Sequence, residues 1–465
     1  MDTRYDAIVI GTGQAGPSLA VKLAKSGRKT AIIERKLFGG TCVNVGCIPT
    51  KTLIASARAA HIARHAADYG VQIDGSVRVD MQKVKARKDA VVRDSNQGVA
   101  SWLKNTPNLT VIEGHARFIG PYALSVDAAH TQFQMHASEI FINVGGRALV
   151  PDIPGLAEID YLTNSSMMDV DFLPPHLLII GGSYIGLEFA QMYRRFGSQV
   201  SVFENGSRLI SREDPEVSAA VQAILEKEGI AVHCNAKNLQ LRKNGKDVVL
   251  SYAADGAAVR KEISGSHMLL AVGRVPNTQD LGLDKAGIAT DARGFITVDD
   301  QLHTNVTGIW AMGDVNGRGA FTHTSYNDYE IVAANLLEQE ERKVTDRIPA
   351  YALFIDPPLA RVGMNEQEAR ATGRKILKAK MMMTRVGRAK ERGETQGFMS
   401  VLVDAASKKI LGASLLGIES DEAIHCIMDV MYAGAPYTTI THAMHIHPTV
   451  SELIPTMLGD LKPLE

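Results

Sequence analysis

The sequence predicts an α/β protein: two units of one doubly wound design, followed by a C-terminal α+β domain with a different task. Three observations carry this expectation. First, apolar strand, glycine loop, helix and second strand follow in that order from Ala7 to Glu34 and again from Leu177 to Glu204. Second, each second strand ends in an acid; Glu34 lies eighteen positions after Gly16, and Glu204 eighteen positions after Gly186. Third, from about Ile348 onward strands and helices alternate with no further loop of this kind. The 465 residues are enough for about three cores of ordinary size.

Composition narrows the function classes. The formal net charge is −1 and no long basic run exists, so no nucleic-acid footprint is expected. The N-terminus, Met1-Asp-Thr-Arg-Tyr5, has no charged and apolar leader pattern. No apolar stretch approaches the roughly 20 residues a membrane span needs. A cytoplasmic protein without membrane partners is the expectation. Four cysteines, Cys42, Cys47, Cys234 and Cys426, are too few for a disulfide scaffold. A close pair such as Cys42 and Cys47 is then more readily catalytic or metal-binding, and Cys234 and Cys426 read as buried, inert residues.

The first unit runs from the strand Ala7–Ile10 through Gly11-Thr-Gly13-Gln-Ala-Gly16 into a helix ending near Lys25, then a strand from Thr30 to Ile33 ahead of Glu34. In such a loop Gly11 makes the tight turn, Gly13 lets a pyrophosphate approach, and Gly16 packs helix on strand. The helix N-terminus offers free N–H groups to phosphate, and Glu34 can accept from ribose hydroxyls. The second unit repeats this with Leu177–Ile180, Gly181-Gly182-Ser183-Tyr184-Ile185-Gly186, a helix to about Phe196 and a strand ending in Glu204. Ser183 replaces the middle glycine, a departure small enough to be tolerated. Duplication makes these Rossmann-like dinucleotide-binding units, and the chain should hold two nucleotides.

Between the units, residues 52–105 read mostly as helix and 109–143 as strands. Val150-Pro-Asp-Ile-Pro154 reads as an interdomain crossing. Leu269–Pro276 is a strand-to-loop exit, and Gly308–Asp314 is a strand leading to an acid. Met381-Met-Met383 reads as alternating along a strand.

Four residues separate Cys42 and Cys47 in Gly39-Gly40-Thr41-Cys42-Val-Asn-Val-Gly46-Cys47-Ile-Pro49-Thr-Lys51. A helix start here would let the two sulfurs approach and would favour thiolate, with Gly40 and Gly46 easing the backbone. Inert thiols and half a zinc site remain as alternatives, although no second cysteine pair completes a zinc site.

This segment resembles the active-site signature of the flavoprotein disulfide reductases, the class I pyridine nucleotide-disulfide oxidoreductases. The family includes dihydrolipoamide dehydrogenase, glutathione reductase and mercuric reductase, and the resemblance spans essentially the whole chain. It implies a Cys42–Cys47 redox-active disulfide, FAD on the first unit and NAD(P)H on the second. It also implies an FAD-binding domain at 1–150 and 276–345, an NAD(P)-binding domain at 151–275 and a dimerisation domain at 346–465. Cys47 would lie nearest the flavin and Cys42 would attack substrate. Lys51, paired with Glu188, would stand near flavin N5. Gly40, Thr41, His115, Gly145 and Asp314 would join Gly11, Gly13, Gly16 and Glu34 around FAD. Gly273, at the second exit, would flank the nucleotide domain. Gly181, Gly182, Ile185 and Gly186 would cradle NAD(P)H, with Tyr184 as a gate over the flavin. Glu204 would favour NADH by repelling a 2′-phosphate, a preference that Arg194, Arg195, Arg208 and Arg212 could soften.

His445-Ile-His447-Pro-Thr-Val-Ser-Glu452 resembles the family's acid–base dyad. That implies His447 as base, Glu452 as its orienter and an obligate homodimer in which the dyad serves the partner's cysteines. No metal is assigned to His442, Met444 and His445, which read as a histidine-rich approach at the dimer surface.

Within the family, Phe321–Tyr329 and Asp356–Met364 look like a mercuric-reductase-like bacterial subgroup. The vicinal C-terminal cysteines usual in mercuric reductases are missing. The expected reaction passes electrons from NAD(P)H through FAD and Cys42–Cys47 to a disulfide, oxidant or soft metal ion. Dihydrolipoamide oxidation with NAD⁺ is the main alternative, and a flavin-bound redox sensor without turnover is another.

Overall fold

A computed structural model describes residues 3–129, 131–254 and 260–464. The first unit contains β1 (Arg4–Ile10), α1 (Ala15–Lys25), β2 (Thr30–Glu34), α2 (Gly40–Asn44), α3 (Cys47–Arg64), α4 (Met81–Lys104), β3 (Leu109–Glu113), β4 (His115–Gly120), β5 (Ala123–Ala128) and β6 (Thr131–Ile142). β1 pairs in parallel with β2 and β6, while β5 pairs antiparallel with β4 and with the start of β6. Ala7, Ile8 and Val9 are fully buried. That is why this strand reads as a continuous apolar run: α1 packs against it, and its side chains share one core with Phe118, Leu124 and Val126 of β4 and β5.

The short β7 (Gly146–Ala148) leads out of this unit. The second unit holds β8 (His176–Ile180), α5 (Tyr184–Phe196), β9 (Gln199–Phe203), α6 (Pro215–Lys227), β10 (Ala231–His233), the meander β11 (Ala236–Asn244), β12 (Asp247–Ala254) and β13 (Arg260–Gly265), and β14 (His267–Leu270). Its parallel sheet has the order β10-β9-β8-β14. β15 (Arg274–Pro276) then runs back against β7, so the two crossings lie side by side. After α7 (Leu283–Ala286) the chain returns to the first sheet, where β16 (Ile309–Ala311) pairs with Ile140–Ile142 of β6. α8 (Thr322–Leu337) follows.

The remaining strands are β17 (Ala350–Leu353), β18 (Leu359–Gly363), β19 (Ile376–Met382), β20 (Phe398–Asp404), β21 (Ile410–Leu416) and β22 (Lys462–Pro463). They form one antiparallel sheet in the order β17-β18-β21-β20-β19-β22. Met381 is buried and Met382 exposed, the expected alternation, although β19 ends at Met382. The fold is α/β with two Rossmann-like units and a C-terminal α+β domain.

The duplicated loops share one steric logic. Gly11 and Gly181 have φ of +101° and +115°. A Cβ on Gly16 would come within 2.2 Å of Gly11 O, and one on Gly186 within 2.0 Å of Gly181 O. Only glycine lets each helix close on its strand. Ser183 adopts an extended backbone (φ −113°, ψ −172°) that any residue can take.

Candidate active site

A cavity of about 1420 Å³ runs from the first glycine loop past both cysteines to the face of α5. It exceeds the roughly 300–1,000 Å³ of ordinary small-ligand sites and suits a dinucleotide with a second ligand against it. Gly11, Gly13, Glu34, Gly40, Thr41, Cys42, Cys47, Lys51, His115, Gly145, Tyr184, Ile185, Glu188 and Asp314 all line it. Gly16 stands behind the loop. Gly181, Gly182, Glu204 and Gly273 sit at the second unit's strand exits and Gly186 in the first turn of α5, all outside this lining.

The residues present fit FAD. A Cβ on Gly40 would meet Gly13 Cα at 2.8 Å, so the start of α2 is pressed onto the phosphate loop. Asn143 Nδ2 is buried beside Gly13 without a partner among the described residues. Asp314 is half-buried, and burial pushes its carboxyl above the usual carboxylate range against the pull of Arg274, 3.4 Å away. Glu34 departs from the simplest expectation. Its Oε2 accepts from Thr12 N (3.0 Å) and Thr12 Oγ1 (2.6 Å), and its Oε1 accepts from Lys36 N. The acid ties loop to strand end as well as facing the cavity.

Gly46 brings the cysteines together. A Cβ there would lie 2.8 Å from Thr41 O and 3.2 Å from Cys42 Cα, so only glycine lets α3 begin against α2. Both cysteines are free thiols here. They share a hydrogen bond that divides their acidities: Cys47 is pulled down to about 6, while Cys42 is pushed well up, with burial adding to its rise. Burial opposes ionisation at Cys47, but Thr322 and Lys51 favour it. Thr322 Oγ1 lies 3.0 Å from Cys47 Sγ. Cys47 is also the first residue of α3, where the helix dipole favours a thiolate.

One turn along α3, Lys51 Nζ donates to Glu188 Oε2 (2.8 Å) and Oε1 (3.0 Å), joining the two units. Tyr184 is the first residue of α5, and its ring meets Phe321 and Tyr351 edge-on. Its buried hydroxyl has no partner among the described residues.

At the second unit's strand end, Glu204 accepts from Gly182 N (2.8 Å) and Gly206 N (2.6 Å). The arginines expected to soften its selectivity are mostly committed elsewhere. Arg195 is buried against Glu228 and Asp356, Arg194 donates to Glu228 O, and Arg208 to Ser211 O. Arg212 alone of the four lines the cavity. His115 Nε2 lies 3.3 Å from Asp280 O.

His447 Nδ1 lies 2.9 Å from Glu452 Oε2. The histidine side chain is 79% exposed and takes no part in the cavity of its own chain. The helix Thr438–Thr441 ends before His442, and Met444 is fully exposed, so the approach to His447 is loop rather than helix. Among the described residues no group of three histidine, cysteine or acidic side chains could hold a metal. Cys234 and Cys426 are only partly buried, a correction to the expectation, and burial raises both thiols, Cys426 to about 11. No helix among the described residues is long and apolar enough to cross a membrane.

Two site residues escaped the sequence reading. Thr322 lay in a stretch noted only for its subgroup likeness. Phe354 supplies a backbone N–H to Glu188 and a ring to Lys51. Neither belongs to a local motif around the cysteines.

Comparison with known proteins agrees with this geometry. Residues 5–328 match the pyridine nucleotide-disulphide oxidoreductase family, and 349–458 match its dimerisation domain. RclA of Escherichia coli, a probable pyridine nucleotide-disulfide oxidoreductase, is 36% identical over 99% of this chain and 100% of its own length. A mercuric reductase of Streptomyces lividans is 32% identical (97% of this chain, 95% of its own). A dihydrolipoyl dehydrogenase of Thermus scotoductus is 33% identical (96% and 95%). The solved Cu(II) complex of the HOCl-induced E. coli flavoprotein disulfide reductase RclA superimposes with a TM-score of 0.89 over 99% of each chain, at 36% identity. The chain belongs to the class I pyridine nucleotide-disulfide oxidoreductases and is an FAD-dependent, NAD(P)H-linked disulfide oxidoreductase.

Proposed function

We propose that this enzyme takes electrons from NADH and delivers them, through the Cys42–Cys47 pair, to a thiophilic metal ion such as Cu(II). The carrying observation is the unequal pair of sulfurs. Cys42, the Thr322 hydroxyl 3.0 Å away and Lys51 one turn along α3 all favour a thiolate at Cys47, while the same pairing and burial favour the protonated form of Cys42. FAD, when bound, supplies the two-electron link between nicotinamide and disulfide.

The protein's own residues do the rest. The amides of Gly182 and Gly206 hold Glu204 at the strand end, where it accepts from a ribose 2′-hydroxyl and repels a 2′-phosphate. Tyr184 shields the cavity until nicotinamide enters. Reduction opens the disulfide to a Cys47 thiolate and a Cys42 thiol. His447 of the partner subunit, steadied by Glu452, takes the Cys42 proton. Two Cu(II) ions then accept one electron each, the disulfide re-forms, and the balance is NADH + 2 Cu(II) → NAD⁺ + 2 Cu(I) + H⁺. The homodimer and the cytoplasm, where NADH is maintained, follow from this reading.

The names of two relatives support the acceptor: one is a mercuric reductase, another a solved Cu(II) complex. The test is anaerobic turnover of the FAD-loaded dimer with NADH against Cu(II), Hg(II), glutathione disulfide, quinones and lipoamide. NADH oxidation with Cu(I) trapped by a chelator is expected. Fast lipoamide-dependent cycling without metal turnover would reassign the enzyme as a dihydrolipoamide dehydrogenase.

A further inference from the structure

The segment from Tyr351 to Asp356 follows α5 turn by turn. Tyr351 packs edge-on against Tyr184, with ring centres 5.5 Å apart. Phe354 N donates to Glu188 Oε1 at 3.0 Å. Asp356 N donates to Gln191 Oε1 at 2.7 Å, and Gln191 Nε2 returns a bond to Asp356 O. Arg195 Nη1 closes the series on Asp356 Oδ2 at 2.5 Å. Residues 184, 188, 191 and 195 form one stripe of the helix, because steps of three and four stay on one face. The C-terminal domain therefore docks on the α5 face that carries the partner of Lys51.

At the centre of this stripe Phe354 does two things at once. Its backbone fixes one oxygen of Glu188, and its ring lies under the Lys51 ammonium, 4.4 Å from Nζ to ring centre. Lys51 is only partly exposed and Glu188 is nearly buried. An ammonium that has lost part of its hydration gains most from an aromatic face. The geometry points to Phe354 as a positioning residue for electron transfer: it holds the Lys51–Glu188 pair in the register that presents the Lys51 charge to Cys47. This rests on the reading of Cys47 as the flavin-facing thiolate.

Four groups among the described residues act most strongly on the Cys47 sulfur. They are Lys51 from its own helix, Cys42 from α2, Glu188 from α5 and the Thr322 hydroxyl from α8. Phe354 touches two of these four and carries no charge itself. Substitution of its side chain leaves the backbone donor to Glu188 in place and acts through the ring's contact with Lys51. Without the ring, the ammonium gains freedom to move toward solvent, its field at the sulfur weakens, and the thiolate becomes harder to form.

The experiment uses the FAD-loaded dimer reduced by two electrons. Its readout is the pH midpoint of the long-wavelength thiolate–flavin absorbance. Phe354→Leu should move the midpoint up by roughly half a pH unit, from the strength of an intermediate cation–π contact. Trifluorophenylalanine at 354 keeps the shape while weakening the ring's negative face, so it should shift the midpoint in the same direction without lowering the melting temperature. Phe354→Trp should keep the parent midpoint. A parent-like midpoint in both ring-weakened proteins, or equal shifts for Leu and Trp, would overturn the inference. A parent enzyme with no such absorbance at any pH would instead remove the thiolate reading beneath it.

Discussion

Cys47 Sγ and Thr322 Oγ1 lie 3.0 Å apart, although the two residues are 275 positions apart in the chain. The hydroxyl is the first side chain of α8, and when Cys47 is a thiolate the hydroxyl is the donor of this bond. A hydrogen bond to a charged acceptor contributes roughly 1.5–3 kcal/mol. Thr322→Ala should therefore raise the Cys47 pKa by about one unit or more. The thiolate then forms at higher pH, so the long-wavelength absorbance of the two-electron-reduced enzyme appears later in an alkaline titration. Thr322→Ser, which keeps the donor, should titrate close to the parent.

The two sulfurs should separate cleanly under substitution. Cys47→Ser removes the thiolate nearer α3's start and should abolish the long-wavelength band. Cys42→Ser leaves Cys47 ionisable, and should show the band even in the oxidised enzyme. Both should lose acceptor turnover. Absorbance spectra of the two purified variants decide the assignment, and the opposite pattern would exchange the roles of the two residues.

Glu204 is held at its strand end by the amides of Gly182 and Gly206. Arg194, Arg195 and Arg208 are each tied to other groups. Glu204→Ala should lower the ratio of kcat/KM for NADH over NADPH by about tenfold or more, equivalent to ~1.4 kcal/mol. Initial rates with both nucleotides at saturating acceptor give the ratio. An unchanged ratio would remove Glu204 as the residue that sets the choice.

What could be read from the chain follows from how local each feature is. The glycine loops declare themselves because turn, helix and acid lie within one short supersecondary unit. Gly46 could be placed as a backbone device for the same reason. His447 and Glu452 are five residues apart and their pairing was expected from the pattern. Thr322 and Phe354 reach the cysteines only by tertiary folding, from α8 and from the turn between β17 and β18, and nothing near them in sequence marks a thiolate or an ammonium. Arg194 and Arg195 failed in the opposite way. Their charge suggested nucleotide contact, whereas burial against Glu228 and Asp356 makes Arg195 structural.

That buried cluster carries its own stability prediction. Burial alone would raise the Asp356 carboxyl, but Arg195 and Arg58 outweigh it and hold the group below the usual carboxylate range. A depressed folded pKa means that the contribution is present above the unfolded value near 4 and is lost as pH falls through the folded one. Asp356→Asn leaves Arg195 and Arg58 short of a partner and should cost about 3 kcal/mol at pH 7. Urea unfolding of the FAD-loaded dimer should show that loss at neutral pH. The gap between variant and parent should close as the parent is taken below pH 4.

The His447–Glu452 pair, with its histidine exposed and absent from the cavity of its own chain, can be tested by mixing two inactive proteins. Cys42→Ser lacks a working disulfide but has an intact dyad; His447→Gln is the reverse. If each site joins the cysteines of one subunit to the dyad of its partner, a mixed dimer contains one site with both defects and one with neither. After unfolding and refolding equal amounts together with FAD, half the dimers are mixed and each has one good site of two. Turnover should recover to roughly a quarter of the parent value, as the two-fold symmetry of such a dimer requires. If instead each site used the dyad of its own chain, every site in every dimer would carry one defect, and mixing would recover nothing.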